Sequence, residues 1–140
     1  MYFNLDGGNV LDHSAEINAS GWLEPDESLI PTGKINSPEG VFDFSEMKIV
    51  GQNFDHCFVL KGEDACRFTA GGISMSLTTD FPAVQFYTGI GLTPPFASNE
   101  GFAIEPEFYP DTPNHPEFPT CVLKKDEKFH KYAIYSFNKE

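Results

Sequence analysis

The chain has 140 residues, the length of one ordinary domain. Its formal charge is −12, with 21 acidic residues against 9 basic ones and a single arginine, Arg67. Such a balance lacks the basic footprint that phosphate backbones and anionic lipid surfaces need, so nucleic acid and membrane are excluded as partners. The 14 Phe, 5 Tyr, 12 Gly and 11 Pro favour strands and turns over helices. No apolar run reaches the length of a membrane span, and no charged stretch followed by an apolar run opens the chain. Cys57, Cys66 and Cys121 are odd in number and irregular in spacing. That pattern is neither a disulfide framework nor a zinc set and suits a reducing, cytoplasmic setting. His56 beside Cys57 makes no nucleophilic pair, because neighbours on a strand point to opposite faces.

Tyr2-Phe3-Asn4-Leu5 is an unusually apolar start for a domain and suggests a segment upstream. Asp6-Gly7-Gly8-Asn9 reads as a turn and Ser14–Ala19 as a strand, followed by Gly21-Trp22-Leu23. His13 is expected at a strand edge. Glu24–Gly40, with three prolines and two glycines, is predicted to be a long ordered loop, and Phe42-Asp43-Phe44 a short extended piece. His56–Leu60 is a strand ended by Lys61-Gly62-Glu63-Asp64. The clearest local signal is Cys66–Ala70, then Gly71-Gly72, then Ile73–Thr79, where Ile73, Met75 and Leu77 alternate with Ser74, Ser76 and Thr78. A two-residue Gly-Gly link between such runs predicts a tight hairpin. Ala83–Thr88 follows as a strand with Val84 and Phe86 on one face and Gln85 and Tyr87 on the other. Cys121–Leu123 is a further strand, and Phe129–Phe137, apolar on both faces, is predicted to be central or covered. Short strands separated by turns describe an all-β fold, a sandwich or barrel.

The segment Gly101–Pro119 concentrates the candidate chemistry. Phe102, Ala103 and Ile104 lead as a strand into Glu105, and Pro106 then removes a backbone donor. The chain is therefore expected to leave its sheet at Glu105, presenting that carboxylate at a strand end beside Phe108 and Tyr109. Such a carboxylate suits acid–base work on a polar, uncharged substrate, although an acidic, proline-rich surface loop has the same composition. On residue type alone, Asp55 fits a turn former and Gln85 a solvent-facing strand residue.

The motifs Tyr2-Phe3-Asn4-Leu5, Ile30-Pro31-Thr32-Gly33, Phe42-Asp43-Phe44, Phe54-Asp55-His56, Val84-Gln85-Phe86-Tyr87-Thr88-Gly89 and Glu105-Pro106-Glu107…Pro110-Asp111…Asn114-His115-Pro116…Phe118-Pro119 follow one another in this order. Together they resemble the C-terminal part of the aldose 1-epimerase (galactose mutarotase) family. The resemblance implies an antiparallel β-sandwich of the galactose mutarotase-like supersandwich type, with residues 1–140 forming the C-terminal portion of a single domain. It also implies interconversion of the α and β anomers of free hexoses, without metal or organic cofactor. In that chemistry a glutamate takes the proton of the anomeric hydroxyl while a histidine protonates the ring oxygen.

By motif position Glu105 resembles the catalytic base, Asp55 the aspartate that binds sugar hydroxyls, and Gln85 the glutamine that contacts the substrate near the base. The family usually has glutamine at the position of Glu107; a second buried carboxylate there would raise the pKa of Glu105 by like-charge repulsion. The family's acid histidine falls before Met1 in this comparison, and none of His13, His56, His115 or His130 matches it. The chain alone is then expected to be inactive, and a complementing N-terminal portion or self-association to be needed. A non-catalytic carbohydrate-binding module, stacking sugar on Tyr87, Trp22 or Phe108, is the alternative. A glycoside hydrolase using Glu105 and Glu107 has carboxylates of suitable spacing, roughly 7 Å, but side by side rather than flanking a bond.

Overall fold

The alternating run from Ile73 to Thr79 folds as the sequence predicts. In the computed structural model, which describes all 140 residues, Asp64–Ala70 (β6) and Ile73–Thr79 (β7) pair as an antiparallel hairpin across Gly71-Gly72. Met75 and Leu77 enter the core together with Ser74 and Thr79, while Ile73 stays exposed. Around this hairpin lie Ser14–Ile17 (β1), Lys48–Ile49 (β4) and Ala133–Lys139 (β10), giving a five-stranded sheet in the order β10-β7-β6-β1-β4. A second antiparallel sheet, in the order β3-β2-β5-β8-β9, is built from Ala19–Pro25 (β2), Pro31–Asn36 (β3), Asp55–Leu60 (β5), Ala83–Tyr87 (β8) and Ala103–Glu107 (β9).

The two sheets enclose one aromatic core. Phe44, Phe54, Phe58, Phe68, Phe86 and Phe102 are fully buried, with Phe68 stacked on Phe102 at 4.4 Å and Phe54 on Phe86 at 5.6 Å. Removing any one of these rings would cost about 3–5 kcal/mol through lost burial and the cavity left behind. Tyr135 on β10 donates its hydroxyl to the Ile104 carbonyl on β9 at 3.0 Å, tying an edge of one sheet to an edge of the other. No helix is long and apolar enough to cross a membrane.

Several expectations are corrected. Glu24–Gly40 is not all loop, since β3 pairs with β2 inside it; as an edge strand β3 can spare the N–H that Pro31 lacks. Phe42-Asp43-Phe44 is extended only in part: Phe42 closes the Gly40–Phe42 3-10 turn, whereas Asp43 is extended and its side chain accepts from the Ser45 N–H at 3.0 Å. Cys121–Leu123 pairs with no strand, and Val122 and Leu123 are exposed. The C-terminal run is neither central nor covered: β10 is an edge strand joined only to β7, and Ile134 and Phe137 are more than half exposed. His13 stands immediately before β1, at the strand's end as expected, but it is fully buried behind the Val10–Asp12 turn, where its Nε2 accepts the Leu5 N–H at 3.1 Å.

Candidate functional site

The site grows from the register of β5, β8 and β9. Cys57 lies opposite Gln85, and Gln85 opposite Glu105; Asp55 lies opposite Tyr87, and Tyr87 opposite Ala103. Strand alternation then places Asp55, Cys57, Gln85, Tyr87, Glu105 and Glu107 on the sheet face that looks away from the aromatic core. Phe58, Val84, Phe86 and Ile104 take the core face and are buried. Gln85 Nε2 donates to Asp55 Oδ1 at 2.7 Å, so two of the three residues singled out by motif are joined directly. Glu105 is exposed, yet its strand position is directly across from Gln85 rather than remote from it.

Two devices hold this ladder in place. Thr88, at the end of β8, donates to Asn53 Oδ1 at 3.2 Å, and the Phe54 N–H donates to Thr88 Oγ1 at 3.0 Å. Asn99 donates both to Asn53 at 2.7 Å and to the Thr88 carbonyl at 2.8 Å, fixing the residues just ahead of Asp55. Gly89 has φ +71°, and a Cβ there would lie 2.1 Å from the Gly101 carbonyl oxygen. That close approach returns the chain beside β8, so that β9 can start at Ala103.

The structure corrects the expected exit at Glu105. β9 continues through Pro106 and Glu107, with Pro106 opposite Val84 and Glu107 opposite Ala83. This is possible because β9 is the edge of its sheet. Glu105 is accordingly presented from within the ladder, and Glu107 is carried onto the same face two residues later. The polar side chains Asp55, Gln85 and Glu107 line a cavity of about 290 Å³, whose other walls include Leu23, Leu29, Pro31 and Pro110. Burial first, and the nearby Glu105 second, push the Glu107 carboxyl up to about 7, while the Cys57 thiol beside it pulls the other way. Burial therefore falls on Glu107 rather than on Glu105. It also pushes the Cys57 thiol up, which leaves an inert group. No cluster of three or more His, Cys, Asp or Glu side chains is arranged to hold a metal ion.

Residues 108–118 form one wall. Tyr109 and Phe118 pack with Leu23, Cys57, Val59 and Ala83 in a small second core. His115 bridges the Pro31 carbonyl at 3.1 Å and Glu117 at 2.9 Å, fastening this segment to β3. His56 has its ring edge-on to Trp22, Phe42 and Phe54, and burial lowers its pKa. Trp22 is stacked on Phe42 at 4.0 Å on the core side, and Phe108 packs against Phe81, so neither is a free platform. Tyr87 is on the cleft side of β8, where its hydroxyl accepts the Gly91 N–H at 2.7 Å. The place of Cys57 in the cleft was not legible in the sequence, and Glu107 figured there only as a second carboxylate beside Glu105. Each stands two residues beyond a residue singled out there, the spacing that shares a strand face.

The two-sheet sandwich is shared with solved structures of aldose epimerase homologues. The family model for aldose 1-epimerase matches residues 1–136. Aldose 1-epimerase of Escherichia coli K12 is 34% identical over 98% of this chain and 49% of its own length. Galactose mutarotase of Bos taurus is 35% identical over 98% of this chain and 48% of its own length. A GalM/aldose epimerase homologue from C. elegans superposes with a TM-score of 0.93 at 28% identity, covering 99% of this chain and 49% of that one. The chain belongs to the aldose 1-epimerase family. It spans about half the length of the curated relatives it matches.

Proposed function

We propose that the chain carries the base-bearing, hydroxyl-binding side of an aldose 1-epimerase site acting on free hexoses such as galactose and glucose. The observation that carries this reading is the joined pair Gln85–Asp55 with Glu105 across the ladder from Gln85. Asp55 and Gln85 hold sugar hydroxyls. Glu105 accepts the proton of the anomeric hydroxyl as the bond from C1 to the ring oxygen breaks, and a general acid protonates that oxygen. Rotation about C1–C2 and closure with the roles reversed give the other anomer. No cofactor or metal enters these steps. The acid is an imidazole brought by a complementing N-terminal portion, and the three free cysteines fit a cytoplasmic setting.

A second reading, a carbohydrate-binding module without turnover, is favoured by the histidines. His13 is buried in the core, His56 is packed among aromatic rings, His115 is engaged with Pro31 and Glu117, and His130 lies in the exposed stretch before β10. Polarimetry of freshly dissolved α-D-galactose separates the two. The epimerase reading expects the spontaneous rate with the chain alone and acceleration when the N-terminal half of a relative is added, lost in Glu105→Gln. Calorimetric binding with no acceleration in either case supports the module. Absence of binding at millimolar sugar refutes both.

A further inference from the structure

Glu107 is a cleft carboxyl whose chemistry neither reading uses. One of its carboxyl oxygens, Oε1, is screened from solvent and has no hydrogen-bond partner within the protein. Buried carboxyl oxygens are ordinarily satisfied, so an orphan on a residue that lines a cavity marks a place where something else completes the bonding. The surroundings decide what kind of group that is. From β5, Glu107 is faced by the Cys57 thiol, with Asp55 and His56 further along the cavity wall. β8 presents Ala83 opposite it and uncharged Gln85 beside that, and β2 and β3 contribute only Leu23, Pro25 and Pro31. Its own strand adds Glu105, and the segment after the strand adds Tyr109 through the small core shared with Cys57. No lysine or arginine lines the cavity.

A carboxyl shut among apolar walls and other carboxylates, with no cation at hand, is neutralised by a proton. It is then a hydrogen-bond donor, in a cleft whose neighbouring Asp55 is already an acceptor. We propose that Glu107 contacts the sugar directly, its carboxyl donating a hydrogen bond to a hydroxyl oxygen of the ligand. This rests on the reading of the cleft as a sugar site. The ligand class is a neutral polyol, and sugar acids and sugar phosphates are repelled by the uncompensated carboxylates.

Binding that needs the proton must weaken as the proton leaves. With a midpoint near 7, galactose affinity should fall about 30-fold between about pH 5.5 and about pH 8.5, following the fraction of protonated Glu107. The test is calorimetric titration of the full chain with D-galactose at both pH values, for the wild type and for Glu107→Gln, whose amide donates at every pH. The expected result is a steep pH dependence in the wild type and a flat one in the variant. In parallel, carbon NMR of the wild-type Glu107 carboxyl should show its titration moving to higher pH with saturating galactose. Equal pH dependence in the two proteins, or a Glu107 titration unmoved by bound galactose, overturns the proposal and leaves the sugar site standing. Failure of the wild type to bind galactose at either pH overturns both.

Discussion

Replacing Gly89 by alanine tests how the cleft is held together. The residue sits at φ +71°, where a Cβ costs about 1–2 kcal/mol. The added methyl would also meet the Gly101 carbonyl oxygen at 2.1 Å, against the ~3.3 Å of an ordinary carbon–oxygen contact. Gly101 must then retreat by roughly 1 Å, at an overpacking cost of about 1–3 kcal/mol. The total, about 2–5 kcal/mol, is a large part of a typical domain's stability. With a denaturant slope of about 1–3 kcal/mol/M, the urea midpoint should drop by roughly 1–2 M. Gly101 lies two residues before β9, so Glu105 should shift with it and galactose binding should weaken even where the fold survives. A midpoint within about 0.3 M of wild type, with unchanged binding, would refute the reasoning, since neither the strain nor the displacement would then exist.

Three further outcomes are expected. Burial lowers the pKa of His13 below 6.5, so its contribution to stability is complete above about pH 6.5 and is lost as pH falls through the lowered folded value. Proton NMR of the ring in the folded protein checks this, and a titration at or above 6.5 would contradict it. Glu107 acts in the opposite sense: its folded value of about 7 against 4.5 means stability complete below about pH 4.5 and lost as pH rises through 7. Discounted for solvent screening of a partly exposed carboxyl, the gain of Glu107→Gln over wild type should therefore be about 2 kcal/mol at about pH 8.5 and little at about pH 4, in urea melts at the two pH values. Finally, β10 is a seven-residue edge strand without proline, with Ile134 and Phe137 exposed. The isolated chain should self-associate in light scattering, and Ile134→Lys with Phe137→Lys should return it towards monomer; identical masses for both proteins would rule out this edge as the contact.

What could be read from the chain depended on how local the signal was. The β6–β7 hairpin was legible because alternation and a Gly-Gly turn specify it within sixteen residues, and Gln85 because Val84 and Phe86 declare the core face on either side of it. Proline misled twice, at Pro31 and Pro106, since it argues against a central strand but not against an edge, and edge position is a property of the whole sheet. The same blindness made Phe129–Phe137 look covered. Its rank in the sheet depends on β7 offering the only neighbour. His13 went inward because a short turn ahead of it redirected the chain, and nothing in the residue itself records that. The carboxyl at 107 was in view as a neighbour of Glu105, but that burial would fall on it rather than on Glu105 was hidden while the strand was expected to end two residues earlier.

The ladder β5–β8–β9 also works as a ruler. Strands lie about 4.8 Å apart, so the interval from Asp55's strand to Glu105's strand is about 10 Å, set by backbone hydrogen bonding rather than by any side chain. Substituting the residues that project from these three strands can change which ligand groups are greeted, while the gauge between the two outer contacts stays fixed. Inserting one residue into the middle strand would do the reverse, turning Gln85 towards the aromatic interior and leaving its two carboxylate neighbours facing an empty rung.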